Sequence, residues 1–75
     1  MDANTIKHMI ETSLLGAEVT VYSEDGFHFE ALVIYEHFSN KSLLERHRMV
    51  YQALGDSFKS KLHALALRTQ APGEN

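Results

Sequence analysis

One amphipathic segment, residues 41–54, separates two strand-like runs, and that arrangement restricts the fold more than any other feature of the chain. Ser42 and Glu45 are spaced as a capping box. The hydroxyl takes a free backbone N–H and the carboxylate reaches back, so a helix starts here. At about 100° per residue, Val50, Leu43, Leu54, His47, Phe58, Tyr51 and Leu44 fall in one arc of roughly 120°, a core-facing stripe. His47 occupies its middle. Arg46 and Arg48 lie on its borders, where long stems cover apolar surface while the guanidinium stays wet. Because Phe58 continues the stripe, the helix is expected to run past Gly55 to about residue 58. A glycine inside a helix costs about 1 kcal/mol relative to alanine, so a stop at Leu54 is the alternative.

Before this helix, residues 17–22 alternate strictly, with Ala17, Val19 and Val21 on one face and Glu18, Thr20 and Tyr22 on the other, as in a half-buried strand. Ser23-Glu-Asp-Gly26 supplies turn chemistry, and residues 27–35 read as a second, antiparallel strand. Ala31 to Tyr35 is apolar on both faces, the pattern of a central strand buried on both sides. After the helix, residues 62–69 alternate as a third strand, and residues 70–75 form a tail expected to be mobile at its end. At the other terminus, Ile6, Met9, Ile10 and Leu14 share a helical arc over residues 4–15, with Gly16 as a left-handed stop. His8 falls in that helix's polar arc and His37 in the polar connection of residues 36–41, so both read as surface residues.

The order is helix, strand, strand, helix, strand. A strand-helix-strand crossover joins parallel neighbours and is almost always right-handed. An α+β fold follows, with a three-stranded mixed sheet, the second strand central and both helices packed on one face. Parallel second and third strands also begin at the same sheet edge, where His28 and His63 each sit at or near a strand start. The C-terminal end of the second helix feeds this edge, and its partial negative charge favours a cationic imidazole or a bound cation there.

Composition sets the remaining bounds. At 75 residues the chain is one small domain, near the size where a single core only just offsets chain entropy. It contains no cysteine, so no disulfide framework or thiolate metal site comes from it alone. Met-Asp-Ala-Asn-Thr lacks the basic and apolar regions of a signal peptide, and no apolar run approaches the roughly 20 residues of a membrane span. A soluble cytoplasmic chain is expected. A formal net charge of -3 with histidine neutral argues against generic binding to a phosphate backbone. The five histidines are the compositional outlier, since neutral imidazole is a common metal ligand. No two histidines have the i, i+4 helical spacing of zinc enzymes, and no serine or carboxylate pair has a catalytic context, so no enzyme is expected.

Gly26-Phe-His-Phe29, Ser42-Leu-Leu-Glu-Arg-His-Arg-Met-Val-Tyr-Gln-Ala-Leu54 and His63-Ala-Leu-Ala-Leu-Arg-Thr69 resemble, in order and spacing, the conserved blocks of the BolA family. The resemblance runs from Ile6 to Pro72. It implies a class II KH-like fold and partnership with a monothiol glutaredoxin through a bridging [2Fe-2S] cluster. It also implies that His63, which opens the last strand, is a cluster ligand. The family's second ligand is a His or Cys in the loop between the first two strands; residues 23–27 contain neither, which leaves His28 at the loop's end. The family's Thr-Pro-Glu-Glu-Trp-like final helix has no counterpart after Pro72, and the Gly-x-x-Gly loop with which ordinary KH domains clamp nucleic acid is absent.

Without the resemblance, His63 reads as a histidine packed at a strand end with Nδ1 bonded to backbone. With it, His63, and with it His28, becomes a metal ligand whose companion thiolates come from the glutaredoxin and its glutathione. Histidine in place of thiolate raises cluster potential and can protonate, which makes the site labile. His47 is expected to pack against the sheet with one nitrogen bonded internally. The leading reading is a non-enzymatic adaptor in iron–sulfur cluster assembly or trafficking and iron homeostasis. A regulator that binds DNA is the alternative, suggested by the family's association with transcription and cell morphology under stress; its contacts would be Arg46, Arg48, Lys59 and Lys61. A plain protein-interaction module without a cluster is the third.

Overall fold

Strand pairing dictates the architecture. The computed structural model describes residues 2–56 and 64–74. The elements are helix α1 (Ala3–Ser13), strands β1 (Glu18–Tyr22) and β2 (Phe29–Ile34), a 3-10 turn (Glu36–Phe38), helix α2 (Leu43–Leu54) and strand β3 (Leu65–Gln70). The sheet order is β1-β2-β3, so β2 is central as expected. β1 runs antiparallel to β2 with Val19 opposite Val33, and β3 runs parallel to β2 with Phe29 opposite Leu65. The α-β-β-α-β order and mixed sheet read from the sequence are both present.

Alternation decides which side carries the core. Val19, Phe29, Ala31, Val33 and Leu65 point to one face and form a single buried cluster with Ile6, Ile10 and Leu14 of α1 and Val50 and Leu54 of α2. Both helices therefore cover the same face. Burying an aliphatic or aromatic side chain of this size contributes about 1.5–3 kcal/mol. The other face is more open: Leu32 and Ile34 are half-buried, while Glu18, Thr20, Glu30, Ala66 and Arg68 are exposed. The apolar run at 31–35 thus marks a central strand, but one covered fully on one side only, and the expectation of burial on both faces is corrected. A three-stranded sheet with two helices has no second layer to supply.

Several boundaries move for local reasons. α1 begins at Ala3 because the Asp2 carboxylate accepts from Thr5 N at 2.8 Å, a side-chain N-cap one turn before the first buried isoleucine. It ends at Ser13, and Gly16 takes the positive φ of 90° that turns the chain into β1. α2 starts as expected. Ser42 Oγ accepts from Glu45 N at 3.1 Å and Glu45 Oε1 accepts from Ser42 N at 2.9 Å, closing the capping box. The bond from Ser42 N, followed by the Ser42 side chain, holds the Glu45 carboxyl below its ordinary range. The helix does not continue to residue 58. Gly55 adopts φ 66° and ψ -169° and ends it at Leu54, so the glycine acts as a stop; Phe58 lies outside the described residues.

The stripe on α2 is also narrower than its sequence. Val50 and Leu54 are fully buried, yet Leu43 and Leu44 are 65% and 61% exposed. Helical side chains tilt toward the N-terminus, so apolar residues in the first turn overhang the end of the core. Phe38, in a stretch that reads as polar loop, is instead fully buried, brought inward by the 3-10 turn. β3 begins at Leu65 rather than at residue 62, and residues 62 and 63 lie outside the described residues.

Ser42→Ala removes one reciprocal bond and leaves Glu45 N unsatisfied. It is expected to lower stability by about 1 kcal/mol, and the melting temperature by about 4–8 °C in a domain of this size. Thermal unfolding followed by circular dichroism checks this, and a wild-type melting temperature would contradict the capping account.

Candidate functional site

The parallel register places the starts of β2 and β3 side by side, because Phe29 pairs with Leu65. One residue before each is His28 and Ala64, and both line an open recess of about 350 Å³ together with Tyr22, Ser23, Asp25 and Glu30. Ala64 is the covalent neighbour of His63. His63 itself, and hence its separation from His28, lies outside the described residues.

His28 does not begin the strand, as residues 27–35 alone suggest. It belongs to the connection 23–28, which the Asp25 carboxylate organises. Oδ1 accepts from Phe27 N and His28 N, each at 2.8 Å, and Oδ2 lies 2.8 Å from His28 Nδ1. Gly26, at φ 77°, makes the turn possible and donates from its N–H to Ser23 Oγ at 2.9 Å. The backbone of Phe27 and His28 is thereby drawn out of ladder geometry, which is why β2 starts at Phe29. The bond from the His28 ring, with those from the His28 and Phe27 backbone, holds the Asp25 carboxyl far below its usual range. The imidazole is 77% exposed and Nε2 has no hydrogen-bond partner among the described residues. A neutral imidazole with one nitrogen held and the other open has the form of a metal ligand with its outer partner already in place. Among the described residues no group of three or more His, Cys, Asp or Glu converges to hold a metal.

The other histidines divide as follows. His8 is exposed on α1, and His37 is exposed on the 3-10 turn with its ring edge-on to Tyr35 at 5.1 Å. His47 is half-buried, edge-on to Tyr51 at 6.2 Å. The internal hydrogen bond expected of it is not formed through Nε2, which is enclosed and has no partner among the described residues.

The proposed basic surface changes most. Arg46 is not a wet border residue: its side chain is 12% exposed and both terminal nitrogens donate to Glu74, at 2.6 and 2.8 Å. Its Nε donates to Lys41 O at 3.0 Å and its guanidinium stacks 5.9 Å from the centre of the Phe38 ring. Glu74 Oε1 also accepts from Ala71 N, and Ala71 is buried. The fork fastens residues 71–74 to the start of α2, so the tail is held through Glu74 rather than loose. Arg48 remains exposed, while Lys59 and Lys61 lie outside the described residues. The Arg46 guanidinium, with help from Ala71 N, holds the Glu74 carboxyl down to about 2. Asp25 and Glu74 were both missed in the sequence; Asp25 had a signal, an Asp-Gly turn three residues before a histidine, and Glu74 had none.

A family comparison decides what this arrangement belongs to. The BolA family model, described as BolA-like protein, matches residues 6–74. This chain belongs to the BolA-like family. A BolA protein homologue from Coxiella burnetii shares 43% identity and superposes with a TM-score of 0.80 over 96% of this chain and 92% of that one. The BolA domain of SufE1 from Arabidopsis thaliana gives 31% identity and a TM-score of 0.79 over 97% and 94%. The DNA-binding transcriptional regulator BolA of Escherichia coli (strain K12) is 38% identical over 42 residues, 56% of this chain and 40% of that protein. The chain spans less than half the length of the curated BolA relatives it matches. Among the described residues no helix is long and apolar enough to cross a membrane.

The clamp carries a pH dependence with a defined sign. A carboxylate depressed from 4.5 to about 2 contributes stability that is fully present above 4.5 and is lost as pH falls through 2. Glu74→Gln is therefore expected to melt below wild type at neutral pH, with the gap closing as pH falls between those values. Melting curves across that range check it, and a gap independent of pH would contradict the ion-pair account.

Proposed function

We propose that this BolA-like chain is a non-enzymatic adaptor in iron–sulfur cluster assembly or trafficking and iron homeostasis. It binds a monothiol glutaredoxin and contributes His63 and His28 to a [2Fe-2S] cluster shared with that protein and its glutathione. The observation that carries the reading is the open Nε2 of His28 in a recess also lined by Ala64, the neighbour of His63. Family membership supports the partner class. The lack of cysteine requires that every thiolate come from outside the chain.

Mixed nitrogen and sulfur ligation suits transient holding. Imidazole ligands raise the reduction potential of a cluster relative to thiolate alone, and the bond is lost when the imidazole takes a proton. This chain's part is to present His28 beside the start of β3, to which Ala64 links His63 in sequence. Rigid strand starts hold that edge, and the Asp25 loop keeps one ring from turning away.

Co-expression with a monothiol glutaredoxin tests the reading. His63→Ala and His28→Ala are each expected to alter or abolish the visible absorption and circular dichroism of the assembled pair. A wild-type spectrum from either variant would contradict that residue's assignment.

A DNA-binding regulator is the second reading, and the E. coli relative's description is the observation that favours it. The net charge of -3 and the engagement of Arg46 by Glu74 weigh against it, leaving Arg48 as the exposed member of the Arg46/Arg48 pair. Binding to duplex DNA measured at two salt concentrations separates the readings. The adaptor reading predicts no binding near physiological salt, whereas a steep salt slope reduced by Arg48→Ala would favour the regulator.

A further inference from the structure

We propose that Asp25 is the positioning residue of His28, fixing its ring so that Nδ1 carries the proton and Nε2 presents its lone pair to the iron. This rests on the ligand reading of His28 given above.

The argument starts from the division of labour within one carboxylate. Oδ1 gathers the backbone N–H groups of Phe27 and His28, and Oδ2 faces the His28 ring. The same side chain thus fixes both the backbone and the ring of one residue, so the imidazole is held at two points despite being 77% exposed. An exposed histidine with no such partner samples several rotamers and both neutral tautomers. An ionised carboxylate can only accept, so the nitrogen 2.8 Å from it must donate. In the neutral ring the lone pair is then left on Nε2, the nitrogen free of partners among the described residues. A carboxylate behind a metal-binding histidine also raises ligand basicity, and its loss lowers metal affinity by about 10–100-fold.

Asparagine separates positioning from loop building. Its single carbonyl oxygen is claimed by the two backbone N–H groups, which puts the amide NH2 where Oδ2 stood, facing Nδ1. That group donates, so Nδ1 must accept and the proton moves to Nε2. An amide in place of an orienting carboxylate is known to select the wrong histidine tautomer in this way.

The test reads the tautomer on the isolated chain with 15N-labelled histidine, by long-range 1H–15N correlation at a pH where the ring is neutral. Wild type is expected to show the Nδ1–H form, Asp25→Asn the Nε2–H form with the Phe27 and His28 amide signals retained, and Asp25→Ala the mixture of a free histidine. A wild-type tautomer in either variant overturns the proposal. In the complex with a monothiol glutaredoxin and glutathione, Asp25→Asn is expected to weaken cluster retention about 10–100-fold, read as the chelator concentration that strips half the cluster. Retention equal to wild type alongside a switched tautomer overturns the role toward iron. Should His28→Ala leave the cluster spectrum unchanged, it is the ligand reading that fails, and the tautomer data still report whether Asp25 sets the ring.

Discussion

The parallel pairing of β2 with β3 is the constraint on which the rest of this small domain depends. Setting Phe29 against Leu65 obliges the chain to leave the sheet at one edge and re-enter at the other, and α2 is the element that makes the return. The requirement explains why so much local chemistry is spent on the ends of α2, with a reciprocal capping box at Ser42 and a left-handed glycine at position 55. It also determines which residues meet: His28 and Ala64, far apart in sequence, each precede the start of neighbouring strands, without either belonging to a motif that pairs them.

A second theme is how one carboxylate organises several donors, with opposite results at two places. Asp25 gathers two backbone N–H groups and an imidazole nitrogen, and in doing so leaves the other imidazole nitrogen open. Glu74 gathers a backbone N–H and both ends of a guanidinium, and uses up the charge that Arg46 would otherwise offer a phosphate. Bidentate pairing of this kind fixes geometry as well as energy. The same interaction holds one imidazole nitrogen in the first case and ties down the C-terminal residues in the second.

Legibility in the sequence followed the range of the interaction. The α2 capping box, the alternation in β1 and the glycine stop after α1 depend on neighbours within a few residues, and they could be read directly. Strand order followed from the crossover rule and the long apolar run of β2. Three kinds of feature could not be read. Apolar periodicity does not say where the core ends, so Leu43 and Leu44 counted as buried although they overhang it. Periodicity also cannot say which faces are covered, so β2 looked enclosed when only one side is. Finally, Arg46 and Glu74 are 28 positions apart, and no local pattern joins them. His28 was legible as a candidate at the junction of loop and strand; the turn that takes it out of the strand depends on a side-chain-to-backbone bond that competes with the ladder.

The central claim is that nitrogen from this chain binds iron at the shared sheet edge. Its most direct measurement is the nitrogen hyperfine coupling of the reduced cluster in the glutaredoxin complex, by pulsed electron paramagnetic resonance with only this chain's histidines labelled with 15N. The account predicts strong coupling to two 15N nuclei, with one lost in His28→Ala and the other in His63→Ala. A spectrum with no strong coupling to 15N would contradict it.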